Sequence, residues 1–194
     1  PFFVSRNIGI KLSHVFGENQ WMTASVGVFN DWLAGDNSFR DNGTDITARV
    51  TGLVWDKNEG RSFLHLGASG RYVGAEKGTM RYAARPESNV ADNYLDTGSI
   101  VGDHAMHLGL EALWNEGPFS LLAEYNHAWV SSAQSGDPGF SGCYITGSWV
   151  LTGETRPYDR TVGYARRVIP QSRWGALELV VRYSSEDLNG GTVK

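Results

Sequence analysis

Met106-His107-Leu108-Gly109-Leu110-Glu111-Ala112-Leu113-Trp114-Asn115-Glu116-Gly117-Pro118-Phe119-Ser120-Leu121-Leu122-Ala123-Glu124-Tyr125 is the stretch that decides how this chain folds. Met106, Leu108, Leu110, Ala112 and Trp114 fall on one side of an extended chain, opposite His107, Gly109 and Glu111. Such a period of two belongs to a strand and not to a helix. Asn115-Glu116-Gly117-Pro118 is a turn signal. Beyond it the alternation resumes, with Phe119, Leu121, Ala123 and Tyr125 opposite Ser120, Glu124 and Asn126. The stretch predicts a β-hairpin with one apolar and one polar face.

The same pattern spreads in both directions. Upstream it covers residues 6–16, 21–30, 45–55 and 61–72; downstream it covers 140–151 and 177–183. In 140–151, Cys143, Ile145, Trp149 and Leu151 oppose Tyr144, Thr146 and Ser148. About eight strands of roughly 9–12 residues result, with a short ninth expected near residues 79–84. Soluble strands are usually about 5–6 residues long. A tilted strand crossing a bilayer needs about 9–11.

Short turns (17–19, 56–60, 115–118) alternate with longer connections (31–44, 73–101, 131–139), the asymmetry of outer-membrane barrels. Residues 152–173 break that rule, being long on the short-turn side. Trp21, Trp55, Trp114, Trp129 and Trp174 sit near strand ends, where an aromatic girdle would lie.

Composition agrees. The 194 residues include 24 Gly, 6 Pro and 12% aromatics, which fits a chain of many strands and turns. No apolar run approaches the roughly 18 residues of a helical span, and the mean hydropathy of −0.31 leaves β-barrels open. A net charge of −4 argues against nucleic acid as a partner. Cys143 is the only cysteine, so an internal disulfide and a thiolate zinc cluster are excluded. The start, Pro1-Phe2-Phe3-Val4, shows no secretory leader; either it has been removed or the chain starts mid-protein.

Residues 108–188 resemble the porin O/P family, the phosphate-selective porins. The resemblance is carried by Leu108-Gly109-Leu110-Glu111-Ala112, Gly117-Pro118-Phe119-Ser120-Leu121 and Glu124-Tyr125. It continues through Leu151-Thr152-Gly153-Glu154-Thr155-Arg156-Pro157-Tyr158, Gly175-Ala176-Leu177-Glu178-Leu179 and Arg182-Tyr183-Ser184, with Arg85-Pro86-Glu87-Ser88 upstream. It implies an all-β, antiparallel transmembrane β-barrel of the sixteen-stranded kind. This chain would then be a single segment of about eight or nine strands, without the barrel's first and last strands. The implied protein is a homotrimeric pore in a bacterial outer membrane, surrounded by lipid. It would pass small polar solutes, with a modest preference for anions such as phosphate. Neither enzymatic activity nor a cofactor is implied.

Within 152–173, Arg156, Arg160, Arg166, Arg167 and Arg173 stand against Glu154 and Asp159, a local balance of +3. Arginine is always charged, and its planar fork suits phosphate and carboxylate. In the family some long connections fold into the lumen, so the resemblance suggests that these arginines line an anion path. They could equally be a solvated basic turn or be paired with carboxylates. Lys11, Arg49, Arg71 and Arg182 extend the candidate path along the polar faces, mixed with Glu111, Glu124 and Glu178. That mixture is less basic than a phosphate-selective wall should be.

Other readings are open. Aromatics and short turns also fit a soluble β-sandwich binding carbohydrate through exposed Trp and Tyr. Glu111 and Glu124 flank a hairpin and could act as a hydrolase pair. His104 and His107 point oppositely on a strand and make a poor metal pair. Asp36, Asp41, Asn42 and Asp45 match no calcium-loop spacing, and Asn42-Gly43-Thr44 fits a glycosylation triplet with little meaning in such a protein. No metal site is expected.

Overall fold

The computed structural model describes residues 8–30, 42–75, 78–86 and 90–193. Pro1 to Val4, Arg6, most of the 31–44 loop with Asp36 and Asp41, and Glu87 and Ser88 lie outside the described residues. Among the described residues fourteen strands follow in chain order. Eight are long: β1 (Ile8–Phe16), β2 (Met22–Asn30), β3 (Asn42–Lys57), β4 (Ser62–Ala75), β9 (His104–Glu116), β10 (Phe119–Ser131), β11 (Gly139–Val150) and β14 (Glu178–Asp187). Six have two residues each: β5 (Thr79–Met80), β6 (Ala83–Ala84), β7 (Leu95–Asp96), β8 (Ile100–Val101), β12 (Tyr158–Asp159) and β13 (Tyr164–Ala165).

The long strands form one antiparallel sheet in the order β1-β2-β3-β4-β9-β10-β11-β14. The outer edges of β1 and β14 carry no ladder among the described residues. The expected ninth strand at 79–84 is not part of this sheet. It divides into β5 and β6, which pair with β8 and β7 inside the connection. Met80 and Tyr82 explain its strand-like appearance, because both are buried there.

The hairpin quoted above forms as read, with Glu116 opposite Phe119. Gly117 takes φ of 54°, the positive value a two-residue turn needs to match the twist of its strands. A register shift between Leu53 and Trp55 leaves Val54 without a partner, and both Val54 and Trp55 are exposed.

The sheet has two unlike faces. One carries Ile10, Val28, Leu66, Leu110, Leu121 and Val181, all exposed. A sandwich would seal such a face beneath a second sheet. Among the described residues nothing packs on it, and every other ladder is two residues long. Leu64, Leu108 and Leu179 share this bare face, and Leu177 is exposed just before β14. Aromatics mark both of its ends. Trp114, Phe119 and Trp149 stand at the short-turn end, with the rings of Phe119 and Trp149 5.6 Å apart; Tyr72 and Trp129 stand toward the other. On β10 the ten steps from Phe119 to Trp129 span about 33 Å at roughly 3.3 Å each. A tilt of about 40° reduces this to about 25 Å, the height of the apolar band of a membrane barrel.

The opposite face is covered over the middle strands and exposed on β1 and β14. Phe63, Leu113 and Leu53 form one small core near the short turns. Val73, Ala105, Val130 and Phe140 form another near the long connections, completed by Met80, Tyr82 and Ile100 from residues 78–103.

Candidate functional site

Two connections fold onto the covered face from opposite rims. From the long-connection rim, Tyr82 reaches in, and its hydroxyl lies 2.9 Å from His107 Nε2 while its ring stands 5.1 Å from that of Phe140. Burial pushes the Tyr82 phenol far above its usual range, so it stays neutral. Beneath it Arg71 donates through Nε (3.2 Å) and Nη2 (2.7 Å) to Asp45 Oδ2, with both side chains almost fully buried. Near the surface Arg81 pairs with Asp96, and mainly this bond holds the carboxyl down to about 2.

From the short-turn rim the segment after β11 turns back over the sheet. Its root is held where Asn115 Nδ2 donates to Thr155 Oγ1 (3.0 Å) and Arg156 pairs with Glu178. Its tip is the small hairpin β12–β13. Tyr158 packs on Phe63 with ring centres 5.2 Å apart. Its hydroxyl lies 2.7 Å from His65 Nδ1, and burial pushes this phenol up to about 12. His65 Nε2 lies 3.0 Å from Glu111 Oε1. A carboxylate only accepts, so Nε2 carries the proton and Nδ1 accepts from Tyr158.

Arg49 completes this arrangement. Its Nη2 donates to Glu111 Oε1 at 2.5 Å and to the Gly163 carbonyl at 3.0 Å, and its Nη1 to the Val162 carbonyl at 3.3 Å. Gly163 has φ of 66°, and a Cβ there would collide with the hydroxyls of Thr51 and Thr23. On the hairpin itself Asp159 takes bonds from Thr161 and from Arg166 (2.8 Å); these hold its carboxyl down to about 2.

The predicted arginines therefore fall into two groups. Arg156, Arg160 and Arg166 are held by Glu178, Asp56 and Asp159, with Arg160 also donating to the Asn19 carbonyl. Arg49 and Arg71 are paired as described. Arg182 lies on the side of β14 continuous with the polar face, 3.6 Å above the Tyr144 ring centre. Lys11, Arg167 and Arg173 are exposed and make no ion pair among the described residues; Arg173 lies over the Trp174 ring at 4.8 Å. Lys11 lies opposite Gly27, on the side of β1 continuous with the polar face. Glu111 and Glu124 are cross-strand neighbours, but Arg49 and His65 hold the first. Cys143 lies on the bare face.

Sequence reasoning had not given His65, Tyr158, Thr23 or Thr51 a role at this site. The one available signal was the excess length of 152–173, which says that a segment folds back but not onto what.

A bare apolar face, a polar face and connections entering from both rims are what the wall of a pore requires. The family model for phosphate-selective porin O and P matches residues 2–194. The chain belongs to this porin family. An uncharacterized protein of Caulobacter vibrioides is 32% identical over 145 residues, a match covering 70% of this chain and 29% of that protein. The chain thus spans less than a third of that relative's length. Membership of this family implies a bacterial outer-membrane protein.

Proposed function

We propose that this porin segment forms about half the wall of a passive diffusion pore for small polar solutes, with a modest preference for anions such as phosphate. The observation that carries this reading is the division of one sheet into an uncovered aliphatic face edged by aromatics and a polar face narrowed by inserted connections. No chemistry is needed. Solutes are selected by bore and by fixed charge at the narrow part.

Within the candidate anion path the arginines held by carboxylates contribute little field at a distance, because each pair is close to neutral. Lys11, Arg167 and Arg173 carry the uncompensated charge. In a planar-bilayer recording of the full-length protein at low salt, neutralising Lys11 and Arg167 together should move the reversal potential toward cations. The shift should shrink near 1 M salt, where the Debye length is about 3 Å. An unmoved potential at low salt takes both residues out of the solute path and leaves the anion preference unsupported.

The two open edges bear on assembly. Unpaired backbone groups are not tolerated in lipid, so further strands complete the barrel. The family resemblance favours barrels grouped as homotrimers. Crosslinking the full-length protein in mild detergent should yield a trimer band lost on boiling. A monomer at every crosslinker concentration would count against the trimer and leave a single closed barrel.

A further inference from the structure

We propose that Arg49 and Glu111 act as a seat that clamps the tip of the inserted connection to the lumen wall, so that Arg49 positions the constriction and does not itself contact solutes. This rests on reading the sheet as a pore wall.

The connection has little regular structure of its own. Its hairpin has only two ladder pairs, Tyr158 with Ala165 and Asp159 with Tyr164. Isolated hairpins are marginal at best in water. Bonds within it, from Gly163 N–H to the Asp159 carbonyl and from Thr161 and Arg166 to the Asp159 carboxylate, shape the turn, but what ties the tip to the sheet comes from the wall. Arg49 on β3 grips the carbonyls of Val162 and Gly163. Glu111 on β9 fixes the guanidinium from the other side and joins it through His65 to Tyr158. Thr23 and Thr51 present a hydroxyl pair, 2.7 Å apart, against which only a glycine at 163 fits.

The chemistry suits a clamp better than a ligand site. The guanidinium has five donors in a rigid fork. Here its two terminal nitrogens already serve three acceptors. Glu111 compensates its charge, so the pair presents little net field to a passing anion. The positions of Val162, Tyr164 and Arg166 relative to the opposite wall then depend on this seat, and with them the bore.

The test uses the full-length protein reconstituted in vesicles, with Cys143→Ala and a nitroxide attached at Val162→Cys, a side chain that serves none of these contacts. The spectrum should show an immobilised label. Arg49→Met and Gly163→Val should each convert most of it to a mobile component, and single-channel current should become several-fold noisier at a higher mean conductance. Arg49→Lys decides between roles. A lysine keeps the charge but cannot reach Glu111 and both carbonyls together, so a seat predicts the mobile label and noisy current of Arg49→Met. A charge-only role predicts parental behaviour for Arg49→Lys and a steady current with a shifted reversal potential for Arg49→Met; that result overturns the proposal. So does an immobile label in both Arg49→Met and Gly163→Val. Absence of any conductance in the parent protein would instead count against the pore reading, and the label mobility would still decide the clamp.

Discussion

Asp45→Ala should destabilise the folded protein by about 3–5 kcal/mol, the cost of removing one member of a buried ion pair. Both side chains of the Asp45–Arg71 pair are 3% accessible, and Arg71 donates twice to one carboxylate oxygen. Without Asp45 the guanidinium stays buried beneath Tyr82 and opposite His107, its register partner. Neither can supply a counter-charge. The damage should extend to residues 78–103, since Tyr82 rests on the same His107. Urea unfolding in lipid vesicles measures the loss. Adding Arg71→Met should recover most of it, because a buried pair replaced by an apolar side chain is often neutral. A loss below about 1 kcal/mol for Asp45→Ala would show that water reaches this pair in the assembled protein.

The second large effect lies on the other face. Leu110→Arg should cost about 2–4 kcal/mol in a bilayer, the depth-dependent penalty of a charge on the lipid side of a barrel near the midplane. Leu110 sits in the middle of β9, between Ala68 and Tyr125 in register, well away from the aromatics at either end. It is 46% exposed, so the new side chain meets no steric barrier and the cost is that of solvation. Asn126→Lys, on the lumen face of β10, should cost far less, because that side is wet. Equal stability for Leu110→Arg and the parent in vesicles would mean that the bare face does not meet lipid.

The faces were legible because alternation is a local property. Leu108, Leu110 and Trp114 declare their side through neighbours two residues away, and tertiary context did not override them. The family, too, was legible in the spacing from Leu108 to Ser184. The site was legible only in part. An arginine on a polar face shows that it meets water or a partner, but not which. Arg160 meets Asp56, 104 residues away, and Arg49 meets Val162, 113 residues away. Nothing in the local pattern at either end records such a meeting. The same limit explains residues 79–84, where Met80 and Tyr82 are apolar because a lumen core receives them, although their alternation imitates a strand.

In this sheet spatial order and chain order coincide. Each neighbour pair is joined by the piece of chain between them, so a hairpin could be duplicated or lost during evolution without rethreading the rest. Wall circumference, and hence pore calibre, could change in steps of two strands. The contact between Arg49 and Gly163 restricts that freedom, because it joins β3 to a segment that starts after β11. Gaining or losing a hairpin anywhere between those strands would carry the guanidinium away from its carbonyls. Lineages that vary in strand number should therefore place their gains and losses outside the stretch from β3 to β11, or lose the arginine, the glutamate and the glycine together.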